Sequence, residues 1–198
     1  MTTFRIAAAA LLVGSASLLS ACAMTDDMAA ASASADSRAM VTVGGAPMYA
    51  NRDIVANAVN SPDHTTLVAA VKAAGLAGTL QGEGPFTVFA PTDAAFGMLP
   101  SGTVQTLLRP ENKAMLQSVL TYHVVAGSFT AADLMQRIRA GGGSARLATV
   151  QGGTLIARMS GRDIVLVDEK GGVATVTQAD VMQSNGVIHV TNRVSMQG

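Results

Sequence analysis

The sequence predicts an α+β fold, with helices and strands drawn from different parts of the chain. Three observations predict it. From Tyr49 to Leu120 apolar residues recur mostly at helical spacing, broken by a single strand-like run at Phe86–Ala90. From Ala145 to Val190 the period shortens to strand-like runs cut by Gly-Gly, Ser-Gly-Arg and Asn-Gly turns. No strand–helix–strand alternation and no internal repeat links the two regions, so a parallel βαβ sheet is not expected.

The elements follow in order. Residues 1–22, MTTFRIAAAALLVGSASLLSAC, carry Arg5 and then an apolar run from Ile6 to Leu19 broken by Gly14 and serines. The run falls short of the roughly 20 apolar residues of a membrane span and reads as a signal peptide. Leu19-Ser20-Ala21-Cys22 resembles the bacterial lipobox, so lipidation is expected at Cys22. Two other readings stand beside it: ordinary secretion, because Ala21-Cys22-Ala23 also fits an A-x-A cleavage site, and an incidental buried cysteine. Residues 23–45, rich in Ala, Ser and Gly, are expected to form a flexible tether. About 20 such residues span roughly 25 Å, which would hold the folded part just off a membrane surface.

A domain is expected over residues 46–197. Asp53 precedes an apolar set at Ile54, Val55, Ala58 and Val59 that ends at Asn60-Ser61-Pro62. A second helix is predicted from His64 to Ala74, capped by Asp63 and stopped at Gly75. The run GPFTVFAPTDAAF then places large apolar groups on both faces of a strand, Phe86, Val88 and Ala90 on one and Phe89 on the other. Pro91 ends the strand, and Thr92 with Asp93 opens a helix. Helical turns are predicted at Thr103–Leu108 and Glu111–Leu120, with Met115, Leu116, Val119 and Leu120 on one face. Thr121–Val125 reads as a strand, Thr130–Arg139 as a helix, and four short strands lie between Ala145 and Val176. Gln178–Gln183 reads as a brief bridge before the Asn185-Gly186 turn and the strand Val187–Val190.

The totals narrow the function classes. With 198 residues, 49% of them apolar, and 13 acidic against 13 basic side chains, the chain fits one ordinary domain and offers no charge excess for nucleic acid. The absence of Trp argues against a stacking platform, and one cysteine cannot form an internal disulfide.

FTVFAPTDAAF, TYHVVAG and NGVIHV, in this order and spacing, resemble the blocks of the fasciclin (FAS1) domain over about residues 47–196. The resemblance implies a β-wedge of two sheets with helices packed around it, and a role in adhesion or matrix-like binding without catalysis. It marks Tyr122, His123 and Val124, with Thr92 and Asp93 of the first block and His189 of the last, as the interaction or structural motif. A binding patch near Tyr122–Val125 and the first block is therefore expected. In some animal members the Tyr-His region is implicated in receptor binding. The family's usual acid after the last block is replaced by Asn192, which questions any contact made through it. Ala23 after the cysteine leans, by resemblance to sorting in enteric bacteria, toward the outer membrane over the inner.

From the residues themselves, His123 is expected to be buried and hydrogen-bonded to Asp93 or the adjacent backbone. His189 is expected on the less buried face of its strand. His64, His123 and His189 are too far apart for a local metal motif, and neither metal nor cofactor is predicted. Met98, Met115 and Met182 are expected to fill gaps in the core. GGGSAR reads as a hinge, Gly161-Arg162-Asp163 as a hairpin turn and Asp168–Gly172 as a charged turn. The expected partners are the membrane, through the lipid on Cys22, and an envelope or matrix protein or glycan. The alternative is a periplasmic small-ligand-binding module with a cleft between sheet and helices.

Overall fold

Two strands, β1 (Met40–Val43) and β2 (Ala46–Tyr49), form a hairpin where the described chain begins; the structure, a computed structural model, describes residues 40–198. The signal peptide and Cys22 lie outside the described residues. The end of the expected tether is corrected: residues 40–45 belong to the fold. Gly44 and Gly45 make the turn at φ 58° and 81°, which a glycine adopts without a Cβ clash, and Val43 and Met48 are buried. The Ala/Ser/Gly composition upstream hid this short alternation.

Helices α1 (Ile54–Ala58), α2 (Thr65–Ala74) and α3 (Ala77–Leu80) come next, with a 3-10 turn at Pro62–His64. Gly75 closes α2 in the left-handed conformation, as expected. In α1 the inward residues are Ile54 and Asn57, while Val59 is exposed. β3 (Phe86–Pro91) leads to α4 (Asp93–Gly97) and α5 (Thr103–Leu107), a 3-10 turn at Pro110–Asn112, and α6 (Lys113–Tyr122). β4 (Val124–Ala126), α7 (Ala131–Ala140), β5 (Ser144–Ala148), β6 (Thr154–Ser160), β7 (Asp163–Val167), β8 (Val173–Gln183) and β9 (Gly186–Thr191) complete it.

The predicted strand Thr121–Val125 is corrected, because α6 runs through Tyr122 and only Val124–Ala126 is extended. Local β propensity loses here to tertiary burial: Leu120 and Tyr122 both go into cores, and Thr121 bonds its hydroxyl back to the Gln117 carbonyl at 2.7 Å. The bridge predicted at Gln178–Gln183 is instead the second half of the 11-residue β8.

The strands form one sheet in the order β4-β3-β9-β8-β7-β6-β5, antiparallel except for the parallel pair β3/β9. β8 pairs with β7 through Val173–Thr175 and with β9 from Val176 onward, with bulges between Val176 and Gln178 and between Gln178 and Val181. Those bulges divide the sheet into two leaves sharing β8. A bridge between Val125 and Thr149 nearly closes the far edges. The architecture is α+β, as predicted.

Two cores result. Val88 and Ala90 of β3, with Ile188 and Val190 of β9, pack under α1, α2 and α6. Phe89, Tyr122, Leu155 and Leu166 pack between the leaves with Leu134 and Ile138 of α7. β3 therefore serves both cores, one with each face, as the Phe86–Ala90 pattern predicts.

The methionine expectation is overturned. Met98 is 73% exposed, Met115 58% and Met182 42%. Leu116, Val119 and Leu120 already fill the inner face of α6, and Met98 caps the short α4 where the chain turns outward.

Candidate functional site

Thr92 accepts a hydrogen bond from the Ala95 amide at 3.2 Å and caps α4, as predicted. Asp93 looks away from its own helix. Its carboxylate accepts from the Thr65 hydroxyl at 2.5 Å and from the Thr65 and Thr66 amides at 3.2 and 2.8 Å. It therefore caps α2 from across the fold, and the cap expected from Asp63 is corrected. Burial pushes the Asp93 carboxyl up, but the bonds from Thr65 and Thr66 outweigh it and hold it below its ordinary value.

The expected His123–Asp93 bond is also corrected. His123 stands at the end of α6, where its Nδ1–H donates to the Val119 carbonyl at 2.7 Å. Its Nε2 accepts from the Ser195 amide at 2.9 Å, tying the tail after β9 to the core. Burial pushes its pKa down, against the Val119 bond and the charge of Asp168. Tyr122 meets His123 edge-to-face, ring centroids 6.4 Å apart. The Tyr122 hydroxyl donates to the Thr154 carbonyl at 2.9 Å and accepts from the Glu169 amide at 3.3 Å. Tyr122, His123, Val124 and Val125 are all buried, so their side chains do not form the expected surface patch.

His189 is fully buried, which corrects its placement on a less buried face. The parallel register sets it opposite Phe89, and the rings stack with centroids 5.6 Å apart. Nε2–H donates to the Phe129 carbonyl at 2.7 Å, and Nδ1 accepts from the Asp180 amide at 3.3 Å. Burial lowers its pKa against the Phe129 bond and Asp180. Thr87 reaches the same loop, donating to the Gly127 carbonyl at 2.6 Å and accepting from the Phe129 amide at 2.9 Å. Thus one residue from each of two distant blocks fastens the 127–129 loop.

Several structural ties carried no advance signal beyond their turn chemistry. Asp180, at φ 58° in the β8 bulge, accepts from the Ala131 amide at 2.7 Å and supports the start of α7. Asn185, in the predicted turn, accepts from the Ile54 amide at 3.1 Å and donates to the Leu80 and Gly82 carbonyls. Asp168 lies inside its predicted turn, 7% exposed, and bonds the Gly172 and Met196 amides at 2.6 and 2.9 Å. Asn192, where the family's usual acid is replaced, accepts from the Thr175 amide through its side-chain oxygen at 2.8 Å.

The Ser61 hydroxyl lies 2.8 Å from His64 Nδ1, a serine–histidine pair that the sequence reading missed. Both side chains are buried, and His64 Nε2 has no partner and lines an apolar cavity of about 30 Å3. A second apolar cavity between the helices and β3 holds about 40 Å3. Ligand pockets are typically about 300–1,000 Å3. Among the described residues no three His, Cys, Asp or Glu side chains converge as metal ligands, and no helix is long and apolar enough to cross a membrane.

Comparison with known proteins agrees with this architecture. The family model described as the fasciclin domain matches residues 62–197. The Synechocystis protein sll1483 is 48% identical over 141 residues, 71% of this chain and 71% of that protein. The cell surface glycolipoprotein MPB83 of Mycobacterium bovis is 32% identical over 151 residues, 73% of this chain and 61% of its own length. The solved FAS1 domain pair from the insect cell adhesion molecule fasciclin I aligns at a TM-score of 0.66 and 19% identity, over 74% of this chain and 51% of that one.

Proposed function

The chain belongs to the fasciclin domain family, and from that premise we propose that it is an extracytoplasmic adhesion or interaction module. In this reading it is held at the cell envelope by a lipid on Cys22 and binds an envelope or matrix protein or glycan. The observation that carries the reading is the family match across residues 62–197, in a chain whose block residues are spent on backbone hydrogen bonds. A relative supports the reading by its name, the cell surface glycolipoprotein MPB83. Leu19-Ser20-Ala21-Cys22 supports the lipid anchor, and Ala23 favours the outer membrane over the inner. The small-ligand alternative requires a cleft between sheet and helices, and the cavities there are apolar and hold only about 40 and 30 Å3.

The test is crosslinking from intact cells followed by fractionation, comparing the full chain with Cys22→Ser. The wild type is expected in the membrane fraction with its partner, and the variant in the soluble fraction with that crosslink lost. A variant that stays equally membrane-bound and labels the same partners contradicts the proposal.

A further inference from the structure

We propose that Asn185 is a self-modification site: it converts to aspartate or isoaspartate through the Gly186 amide when the β8–β9 turn opens, and the native fold holds that reaction shut. Asn185 is the one asparagine of the chain followed by glycine. Asparagine is a thermolabile residue, and a glycine after it sets no side chain in the way of attack and leaves the backbone free to turn. The site does not depend on what the domain binds.

The fold demands both residues of the pair. The Asn185 side chain joins the turn to two other segments: its oxygen accepts from the Ile54 amide at 3.1 Å, and its amide nitrogen donates to the Leu80 and Gly82 carbonyls at 2.8 and 3.1 Å. An aspartate cannot make those last two bonds, because a carboxylate has no N–H to donate. Gly186 is buried, and a Cβ on it would run into the Phe86 carbonyl. The Asn185 carbonyl is pinned as well, accepting from the Phe86 amide at 3.1 Å. The pair that this turn requires is therefore also the pair that chemistry makes labile.

In the reaction the Gly186 nitrogen, its proton lost to hydroxide, bonds to Cγ of Asn185. The Cγ–Nδ2 bond breaks, and Nδ2 leaves as ammonia after taking a proton from water. Water then opens the resulting cyclic imide at either carbonyl carbon, giving aspartate or, with the backbone rerouted through the side chain, isoaspartate. Water is the only co-reactant. Ring closure needs a carboxamide free to turn, and the three bonds to Ile54, Leu80 and Gly82 hold this one, so conversion waits for local opening. The change is one-way. The new carboxylate can still accept from the Ile54 amide, but it meets the Leu80 and Gly82 carbonyls oxygen against oxygen. The end of α3 then loses its fastening to the turn, and converted chains record how long the turn has stood open.

The experiment incubates the full-length protein in detergent, in mildly alkaline buffer with and without urea, and reads every asparagine by peptide mass spectrometry with isoaspartate separated by chromatography. In urea Asn185 should convert faster than any other asparagine, and in buffer at least about tenfold more slowly than in urea. Leu80→Ala, which loosens the buried end of α3, should raise the rate in buffer and leave the rate in urea unchanged. In Asn185→Asp, amide exchange should quicken at Leu80 while Ile54 stays protected, which distinguishes the loss of two bonds from a failure to fold. The wild-type rates need neither variant to fold. Conversion in buffer as fast as in urea would overturn the proposal, because the fold would then hold nothing shut. So would an Asn185 that stays intact in urea, or wild-type protection of Leu80 in Asn185→Asp.

Discussion

His123 and His189 are each neutral in a defined tautomer, set by the backbone. The first donates from Nδ1 and accepts at Nε2, and the second does the opposite. A second ring proton would confront a backbone N–H and strand a charge in the core. Burial lowers the folded-state pKa of His64, His123 and His189 below the ordinary 6.5, so the unfolded chain takes up protons first as pH falls. Their contribution to stability is complete above pH 6.5 and is lost as the pH drops from there toward the lowered folded values. Each histidine changes stability by at most about 1.4 kcal/mol per pH unit in that window. Urea midpoints should therefore fall between about pH 7.5 and pH 5.5, and a flat profile would contradict the buried-neutral assignment. His123→Ala should cost about 1–3 kcal/mol by orphaning the Val119 carbonyl and the Ser195 amide, and an unchanged urea midpoint would refute this. That His123 is structural was legible from the sequence. Its partners were not, because Ser195 is 72 positions away and no local pattern announces the contact.

At the scale of elements, β3 was the most legible and α6 the least. Phe86–Ala90 alternates large apolar groups on both faces, and the two cores take one face each. Phe89→Ala should accordingly cost about 3–5 kcal/mol in a chemical melt, by opening a cavity between the leaves. The end of α6 was misread because Thr-Tyr-His-Val-Val has strand propensity, and only the second core around Tyr122 overrides it. α2 depends on Asp93 supplied by another element. Asp93→Ala should cost about 0.5–2 kcal/mol, read as a lower thermal midpoint, whereas no change would show the cap to be idle. Gly186 marks the join of β3 and β9. A Cβ there would run into the Phe86 carbonyl, so Gly186→Ala should disrupt the parallel register, seen as faster amide exchange at Val187 and Ile188. Protection as strong as wild type would contradict that.

Among the described residues the fold is a bent sheet with most of its helices over one leaf and α7 in the second core, and His123 and His189 are interior fastenings. The family blocks were legible as a set because each carries turn or cap chemistry at fixed spacing. The surface was not, since exposed Met98 meets Lys170 and Arg193 only after folding. A single module gains little from one weak contact, but many copies held on one membrane multiply such contacts by raising their effective concentration. On the proposed reading, the lipid on Cys22 would therefore matter as much as the contact surface. The most direct measurement is attachment of cells to a matrix-coated surface, comparing cells that produce the full chain, Cys22→Ser, or none. The account predicts that Cys22→Ser cells attach no better than cells lacking the chain, although the variant domain folds normally. Attachment equal to wild type in either set of cells would contradict it.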